Sequence, residues 1–201
     1  KYPQRFALIT FLFLLPLALA LSSFITENER QVAFSKKELV GTEYIRPLME
    51  LYDYALQARI LGVPSLINLT SDANALKENE ANIDRAFEQL VSLDNRLGAT
   101  LQSTERLNAL LATWNMLKSR DRDAMRDTKT GEFIAQVRNL IVHVSDTSNI
   151  ILDPDLDTYY LQDVLLTKLP ERQKFLSDLS ALGYLVIIKR GASPEEIGDL
   201  V

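Results

Sequence analysis

The N-terminal third of the chain contains an apolar run followed by a long helical pattern. Residues 6–25, FALITFLFLLPLALALSSFI, carry no charge and are long enough to cross a bilayer as one helix. From Glu27 to Leu61, apolar residues recur at steps of three and four, as in an amphipathic helix. We therefore predict one continuous helix. The inward-facing stripe predicted for its second half is Ile45, Leu48, Tyr52, Ala55 and Arg59.

Two shorter amphipathic patterns follow. A second helix is predicted from about Ala75 to Leu97, and Gly98 is interpreted as its C-terminal cap. Either Ser103 or Thr104 caps a third helix. The apolar stripes predicted for these two helices are Ile83, Phe87, Leu90, Leu93 and Leu97, and then Leu107, Leu110, Leu111, Trp114 and Leu117.

A fourth helix is predicted after a polar segment. Residues 119–132, SRDRDAMRDTKTGE, carry charges of both signs and are interpreted as a solvated connection. Thr130 caps the helix, which ends near residues 146–149. Its predicted buried stripe is Ile134, Val137, Ile141 and Val144.

The most acidic stretch, ILDPDLDTYYLQD (residues 151–163), is interpreted as a helix start. Its aspartates have the spacing of the first calcium ligands of an EF-hand loop, but the glycine and the glutamate that such a loop needs are absent. Asp153 before a proline is instead typical of a helix N-cap. We predict a helix from Leu156 to about Lys189, bent at Pro170, and a further helix start at the capping box that begins with Ser193.

These patterns together predict an all-α fold, because no segment alternates polar and apolar residues as strands do. The predicted architecture is a transmembrane helix continuing into an antiparallel extracytoplasmic helical bundle. Residues 1–26 form the cytoplasmic flank and the transmembrane helix in this prediction. Residues 27–201 form the bundle, whose last predicted helix is incomplete at residue 201.

The flanks of the apolar run predict its orientation. Lys1 and Arg5 precede the run, so the positive-inside rule places the residues after about 26 across the membrane. A cleaved signal peptide is the alternative, since Ala18-Leu19-Ala20 resembles a small-residue cleavage site. Both interpretations export the remainder of the chain.

The composition argues against several classes of function. The chain has no cysteine and one histidine, His143, so thiolate chemistry and multi-histidine metal sites are excluded. The net charge of −5 lacks the basic character that nucleic-acid binding requires. No glycine-rich phosphate loop occurs. For these residues we expect no catalytic residue, no metal, no cofactor and no nucleic-acid partner.

Three residues are candidates for ligand binding, namely Arg59, Tyr160 and Asp163. Arg59 takes an inward-facing position, where an arginine needs an acidic partner, and Asp163 or Glu38 is predicted to supply it. The other interpretation is that the guanidinium holds a carboxylate or another oxyanion ligand. Asp163 follows Tyr160 by three residues on the same predicted helix face, beyond the positions that capping explains.

Three stretches of the sequence resemble one protein family. They are FSKKELVGTEYIRPLMEL (residues 34–51), VSDTSNIILDPDLDTYYLQDVLLTKLPE (residues 144–171) and the membrane run ending in LPLALAL. They resemble the N-terminal extracytoplasmic sensor region of a group of bacterial methyl-accepting chemotaxis proteins, and related regions precede histidine kinases and diguanylate cyclases. One departure is that the family pattern has a His-Arg pair where this sequence has Ala58-Arg59.

The resemblance implies a sensory input module in the bacterial inner membrane. A periplasmic bundle would bind a small molecule or a periplasmic protein, and a second membrane helix and a HAMP linker would lead to a cytoplasmic output domain. We expect a homodimer formed through the long first helix. Three alternatives are left open: the input domain of a histidine kinase or diguanylate cyclase, a membrane-anchored structural or assembly bundle, and an exported enzyme released by cleavage.

Overall fold

The computed structural model describes residues 2–66, 73–119, 124–152 and 156–189, and nearly all of them are helical. No strand occurs within these ranges, which confirms the prediction of an all-α fold. The elements are α1 (Tyr2–Leu66), α2 (Ala73–Leu101), α3 (Thr104–Lys118), α4 (Ala124–Thr147), a 3-10 turn (Ile150–Leu152), α5 (Leu156–Asp163), a π-helical segment (Val164–Lys168) and α6 (Leu169–Lys189).

Helix α1 confirms the prediction that the apolar run and the following amphipathic pattern belong to one helix. The chain divides into two compact units, Lys1–Leu39 and Val40–Val201, and we call the second unit the helical domain. In the first unit the large apolar side chains between residues 11 and 25 are exposed. Among the described helices, α1 is the one long and apolar enough to cross a membrane. The predicted boundary at residue 26 marks the end of the apolar run, whereas compact packing begins at Val40.

The helical domain is organised around a core to which α1, α2, α3 and α4 all contribute. Trp114 stacks on Phe133 with ring centroids 5.6 Å apart, and Phe87 contacts Phe133 at 6.2 Å. Since each of these three rings belongs to a different helix, they hold α2, α3 and α4 together. The predicted stripes of α1 and α4 are buried as expected, with Ile45, Leu48, Tyr52, Ala55, Ile134, Val137, Ile141 and Val144 in the core.

Helix α2 does not end at Gly98 as predicted but continues to Leu101. Gly98 is buried within the helix, and a Cβ there would lie 2.5 Å from Thr104 Oγ1 and 2.6 Å from the Asp94 carboxylate. The glycine therefore serves close packing between α2 and the start of α3 rather than capping. The helix ends instead at Gln102, whose φ of 53° is left-handed.

The C-terminal end of α2 is capped by a residue from α4. His143 Nε2 lies 3.1 Å from the carbonyl oxygen of Leu101 and 2.9 Å from that of Gln102. As a donor it satisfies carbonyl groups that have no partner inside the helix. The only histidine of the chain thus has a structural role that explains its position.

Two predicted boundaries of α3 and α4 need correction. Ser103 does stand at the N-cap of α3, but its side chain makes no capping hydrogen bond. Helix α4 begins at Ala124, so most of the segment 119–132 is helical rather than a connection, and Thr130 lies buried inside α4. Ala124, Met125, Arg126 and Lys129 have good helix propensity, and the Lys129–Glu132 ion pair adds support, so the helix extends beyond its buried stripe.

The predicted helix from Leu156 to Lys189 is helical throughout, but it contains the π-helical segment just before Pro170. The Leu169 N–H bonds to the carbonyl of Val164, five residues earlier. Because Pro170 has no N–H and its ring crowds the preceding turn, a wider turn accommodates it at this point. The predicted caps Asp153 and Ser193 lie outside the described residues.

Asp84 on α2 supplies a pH-dependent part of the stability. Its carboxylate accepts hydrogen bonds from Trp114 Nε1 at 2.7 Å and from Lys118 Nζ at 2.8 Å. Burial on its own raises the pKa of Asp84, but these hydrogen bonds and the charge of Lys118 outweigh it, so the pKa is lowered. A lowered pKa means that the ionised carboxylate stabilises the fold above the unfolded pKa, and that this contribution is lost as the pH falls through the folded pKa.

We expect Asp84→Asn to lower the free energy of unfolding by about 1 kcal/mol near pH 7, since the site is partly exposed. The difference from the native chain should shrink as the pH falls through the lowered pKa of Asp84, because the carboxylate then becomes protonated. Urea unfolding at several pH values, with the exposed Asp146→Asn as control, measures it. If Asp84→Asn lowers the free energy of unfolding by the same amount at every pH, the effect does not come from the ionised carboxylate.

Candidate functional site

The strongest candidate site lies where α1 and α6 meet. Arg59 on α1 forms an ion pair with Asp178 on α6, and only 12% of the arginine side chain is exposed. Lys174 Nζ, one turn earlier on α6, contacts the other oxygen of Asp178 at 2.7 Å. One carboxylate thus bridges two cations from two helices. We call Arg59, Lys174 and Asp178 the Arg59 cluster.

The guanidinium of Arg59 lies next to Gly131 on α4. A Cβ built on Gly131 would lie 3.7 Å from Arg59 Nη1, in ordinary van der Waals contact. Arg59 continues the inward-facing stripe of α1, because the buried residues Ala55 and Tyr52 lie one and two turns before it. The guanidinium is therefore set between α4 and α6 by the same periodicity that buries its apolar neighbours.

Tyr52 provides a second link between α1 and α6. Its hydroxyl donates a hydrogen bond to the carbonyl oxygen of Pro170, and its side chain is fully buried. Burial raises the pKa of Tyr52 to about 12, with Asp178 and Asp53 adding to the effect and Arg138 opposing it. The phenol is therefore neutral at physiological pH and remains a donor.

Three buried polar atoms near this contact have no hydrogen-bond partner among the described residues. They are Arg138 Nε on α4, and Gln173 Oε1 and Ser177 Oγ on α6. Gln173 precedes Lys174 and Ser177 precedes Asp178, while the charge of Arg138 acts on Tyr52. Buried donors and acceptors of this kind are normally satisfied, so these three atoms are candidates for hydrogen bonds to water or to the polar atoms of a ligand.

The charges around the site favour an anion. Arg59, Lys174 and Arg138 contribute three positive charges, and Asp178 and Asp53 contribute two negative ones. A guanidinium binds a carboxylate through two parallel hydrogen bonds. Asp178 occupies this position in the structure, so an external carboxylate would compete with an internal one.

The structure does not bring the three predicted ligand residues together. Arg59 is in the cluster, but Tyr160 is 59% exposed and Asp163 is half-buried. Asp163 precedes the cluster residue Asp178 by fifteen positions on a helical segment, which is about 22 Å. The acidic partner predicted for Arg59 was Asp163 or Glu38, whereas the structure pairs Arg59 with Asp178.

Sequence reasoning missed Asp178 and Lys174, although one local signal pointed to them. The two residues are four positions apart, which is the spacing of a helical ion pair. Nothing in the sequence links them to Arg59, because Arg59 and Asp178 are 119 positions apart.

A second buried polar group, the Asp94 cluster, consists of Asp94, Tyr44 and Ser103. Asp94 Oδ1 accepts hydrogen bonds from the Tyr44 hydroxyl at 2.9 Å and from Ser103 Oγ at 2.5 Å. Burial is the main cause that raises the pKa of the Tyr44 phenol. Both hydroxyls donate to the same carboxylate, so the Asp94 cluster links α1, α2 and the residue that precedes α3. We interpret this cluster as structural.

Comparison with known proteins assigns no family to the chain. No protein-family model, no curated protein sequence and no solved structure matches it significantly. The resemblance to chemoreceptor sensor regions therefore stays a prediction, which rests on the sequence stretches quoted above. Its functional consequences belong to the proposal that follows.

Proposed function

We propose that the chain is the sensory input region of a transmembrane bacterial receptor of the chemotaxis-transducer type. In this proposal the apolar part of α1 crosses the inner membrane and the helical domain lies outside the cytoplasm. The observation that carries it is the composition of α1. This one helix contains an exposed apolar run of membrane length. In the helical domain it also carries the mostly buried Arg59, which pairs with α6.

We infer further that the helical domain is an antiparallel bundle. Tyr44 and Tyr54 of α1 contact Asp94 and Asn79 of α2, respectively, so residue numbers fall on α2 as they rise on α1. Gly41 of α1 lies against Ser148 in the turn after α4, and Arg59 lies against Gly131 of α4, so residue numbers fall in this direction too. Short connections between sequential helices favour this arrangement.

Helix α6 runs in the same direction as α1 in this arrangement. Tyr52 contacts Pro170, and seven residues later Arg59 contacts Asp178. A carboxylate ligand that takes the place of Asp178 on Arg59 would break one of these two links. The ligand then biases the packing of α1 against α6, provided that it binds the two packings with different affinity.

Binding of small carboxylates to the full-length chain in detergent micelles tests the proposal. Succinate, malate and benzoate are the probes, and thermal unfolding measures binding. We expect at least one of them to raise the midpoint temperature, and Arg59→Gln to abolish the rise. Asp178→Asn should strengthen binding several-fold, because it removes the internal competitor and keeps the side-chain size.

The exposed Arg106→Gln on α3 is the matched control and should bind as the native chain does. A purely structural ion pair predicts that Asp178→Asn only lowers stability. The proposal is wrong if no probe shifts the native midpoint, or if the shift survives Arg59→Gln.

The second candidate function is a membrane-anchored assembly bundle that transmits no signal. The exposed apolar side of α5 and α6 favours it, since a large apolar patch on a soluble surface marks a protein interface. Input domains of histidine kinases and diguanylate cyclases share the sensory role and differ in an output outside these residues. Carboxylate binding separates both sensory roles from the assembly bundle.

A further inference from the structure

The side of α6 that packs against the helical domain is polar, whereas the core of the domain is apolar. That core is built from α1, α2, α3, α4 and the 3-10 turn, and no described residue of α6 belongs to it. From Pro170 onward, the buried or half-buried positions of α6 recur at steps of three and four, which places them on one side of the helix. They include Gln173, Lys174, Ser177, Asp178 and Ala181.

Arg138 of α4 lies at the level of Tyr52. It follows Gly131, the neighbour of Arg59, by seven residues, and Tyr52 precedes Arg59 by seven residues. Because α1 and α4 run in opposite directions in the arrangement inferred above, these equal steps bring Arg138 and Tyr52 to one level. The electrostatics agree, since burial raises the pKa of Tyr52 and the charge of Arg138 opposes that rise.

The half-buried Arg138 has an unused hydrogen-bond donor. Its Nε is buried and has no hydrogen-bond partner among the described residues. None of the ion pairs found in the described part of the chain includes Arg138, whereas Arg59 is paired with Asp178. Because a buried donor without an acceptor is costly, Arg138 is the place where an additional acceptor atom brings the larger gain.

Two unused polar atoms lie on the side of α6 that packs against the domain. Gln173 Oε1 and Ser177 Oγ are buried and find no hydrogen-bond partner within the described ranges. They are one turn apart, about 6 Å along the helix, and Ser177 directly precedes Asp178. Gln173 follows Pro170, whose carbonyl accepts the Tyr52 hydrogen bond, by three residues. An acceptor on Gln173 therefore lies between the level of Arg138 and that of Arg59.

A hydroxyl group matches these unused groups, because it accepts one hydrogen bond and donates another. It would accept from Arg138 Nε and donate to Gln173 Oε1. A methylene group does neither. An ammonium group donates but has no lone pair with which to accept, and the like charge of Arg138 repels it.

We propose that the ligand of the Arg59 cluster is a hydroxycarboxylate, whose carboxylate binds Arg59 and whose hydroxyl group binds between Arg138 and Gln173. This inference rests on the proposed function, because it takes a carboxylate ligand in place of Asp178 as its starting point. It adds that Arg138 and Gln173 select among carboxylates. A site built to hydrogen-bond a ligand hydroxyl discriminates strongly against an analogue that lacks it.

Isothermal titration calorimetry on the full-length chain in detergent micelles tests the proposal with three ligands of one carbon skeleton. Malate has a hydroxyl group where succinate has hydrogen and aspartate has an ammonium group. We expect the better-bound enantiomer of malate to bind at least about 10-fold more tightly than succinate, because its hydroxyl satisfies two buried groups. Aspartate should bind no more tightly than succinate.

Gln173→Met distinguishes ligand selection from a structural role, since it removes the acceptor without changing the charge. In this variant the affinity for malate should fall to that for succinate, and the affinity for succinate should stay unchanged. Arg138→Met should weaken the binding of both dianions and likewise abolish the preference for malate. The exposed Gln136→Met on α4 is the matched control and should retain the preference.

The outcomes separate this inference from the proposed function. Equal affinities of the native chain for malate and succinate would overturn the inference and leave carboxylate binding at Arg59 intact. A preference for malate that survives Gln173→Met would overturn it as well, and so would tighter binding of aspartate than of malate. If no carboxylate binds, the proposed function fails together with this inference.

Discussion

Gly41→Ala is expected to lower the free energy of unfolding of the helical domain by about 1–3 kcal/mol. Gly41 lies buried on α1, and a Cβ there would overlap Ser148 Oγ and Cβ and lie 2.8 Å from Ile150 Cδ1. The Ser148 Cβ is attached to the backbone of the turn after α4, so it cannot rotate away. The methyl group therefore forces α1 and this turn apart at a point where they are in close contact.

Chemical unfolding of the full-length chain measures this effect. Trp114, the only tryptophan, is 3% exposed in the core, so its fluorescence reports unfolding. Gly62→Ala is the matched control: nothing lies within 4 Å of its added Cβ, and the substitution should be neutral or stabilise by up to about 1 kcal/mol. Ser148→Gly should partly restore the Gly41→Ala variant. Equal stability of Gly41→Ala and the native chain would show that the close approach is absent.

Asp94→Ala is expected to cost about 3 kcal/mol of stability. The substitution leaves the hydroxyl groups of Tyr44 and Ser103 without their acceptor, and neither side chain has any exposed surface. Asp94→Asn retains an acceptor oxygen and should cost less. The exposed Asp146→Ala is the control and should change stability by less than about 0.5 kcal/mol.

A double-mutant cycle assigns this cost to the cluster. Tyr44→Phe alone should cost about 1 kcal/mol, because it removes one hydrogen bond. In the Asp94→Ala background the same substitution should cost less or stabilise, since it removes an unsatisfied hydroxyl. Additive costs would mean that the two residues do not act through their hydrogen bond.

The apolar periodicity predicted the helices correctly. Glycines, capping residues and polar runs were poor predictors of where the helices end. The stripes of α1 and α4 are buried as expected, because burial on one side requires this spacing. The predictions of a helix end at Gly98 and of a connection over 119–132 are wrong. A glycine or a polar run ends a helix only where tertiary packing does not favour further helical turns. In this fold Gly98 is selected by its close approach to Thr104.

The candidate site was predictable in part. The position of Arg59 on the stripe of α1 predicts a buried cation, and only 12% of its side chain is exposed. Its partner could not be found from the sequence, because helix order does not fix which acidic residue of the last helix lies opposite. Asp163 and Asp178 both belong to that stretch, and the tertiary register selects the second.

Export of the helical domain is the central claim, and cysteine labelling tests it most directly. The native chain has no cysteine, and Tyr2 and Met116 are 88% and 60% exposed. A membrane-impermeant maleimide added to spheroplasts should label Met116→Cys at once, whereas Tyr2→Cys should react only after lysis, with both variants in the membrane fraction. Protection of Met116→Cys until lysis, or recovery of the chain in the soluble fraction, would contradict the account.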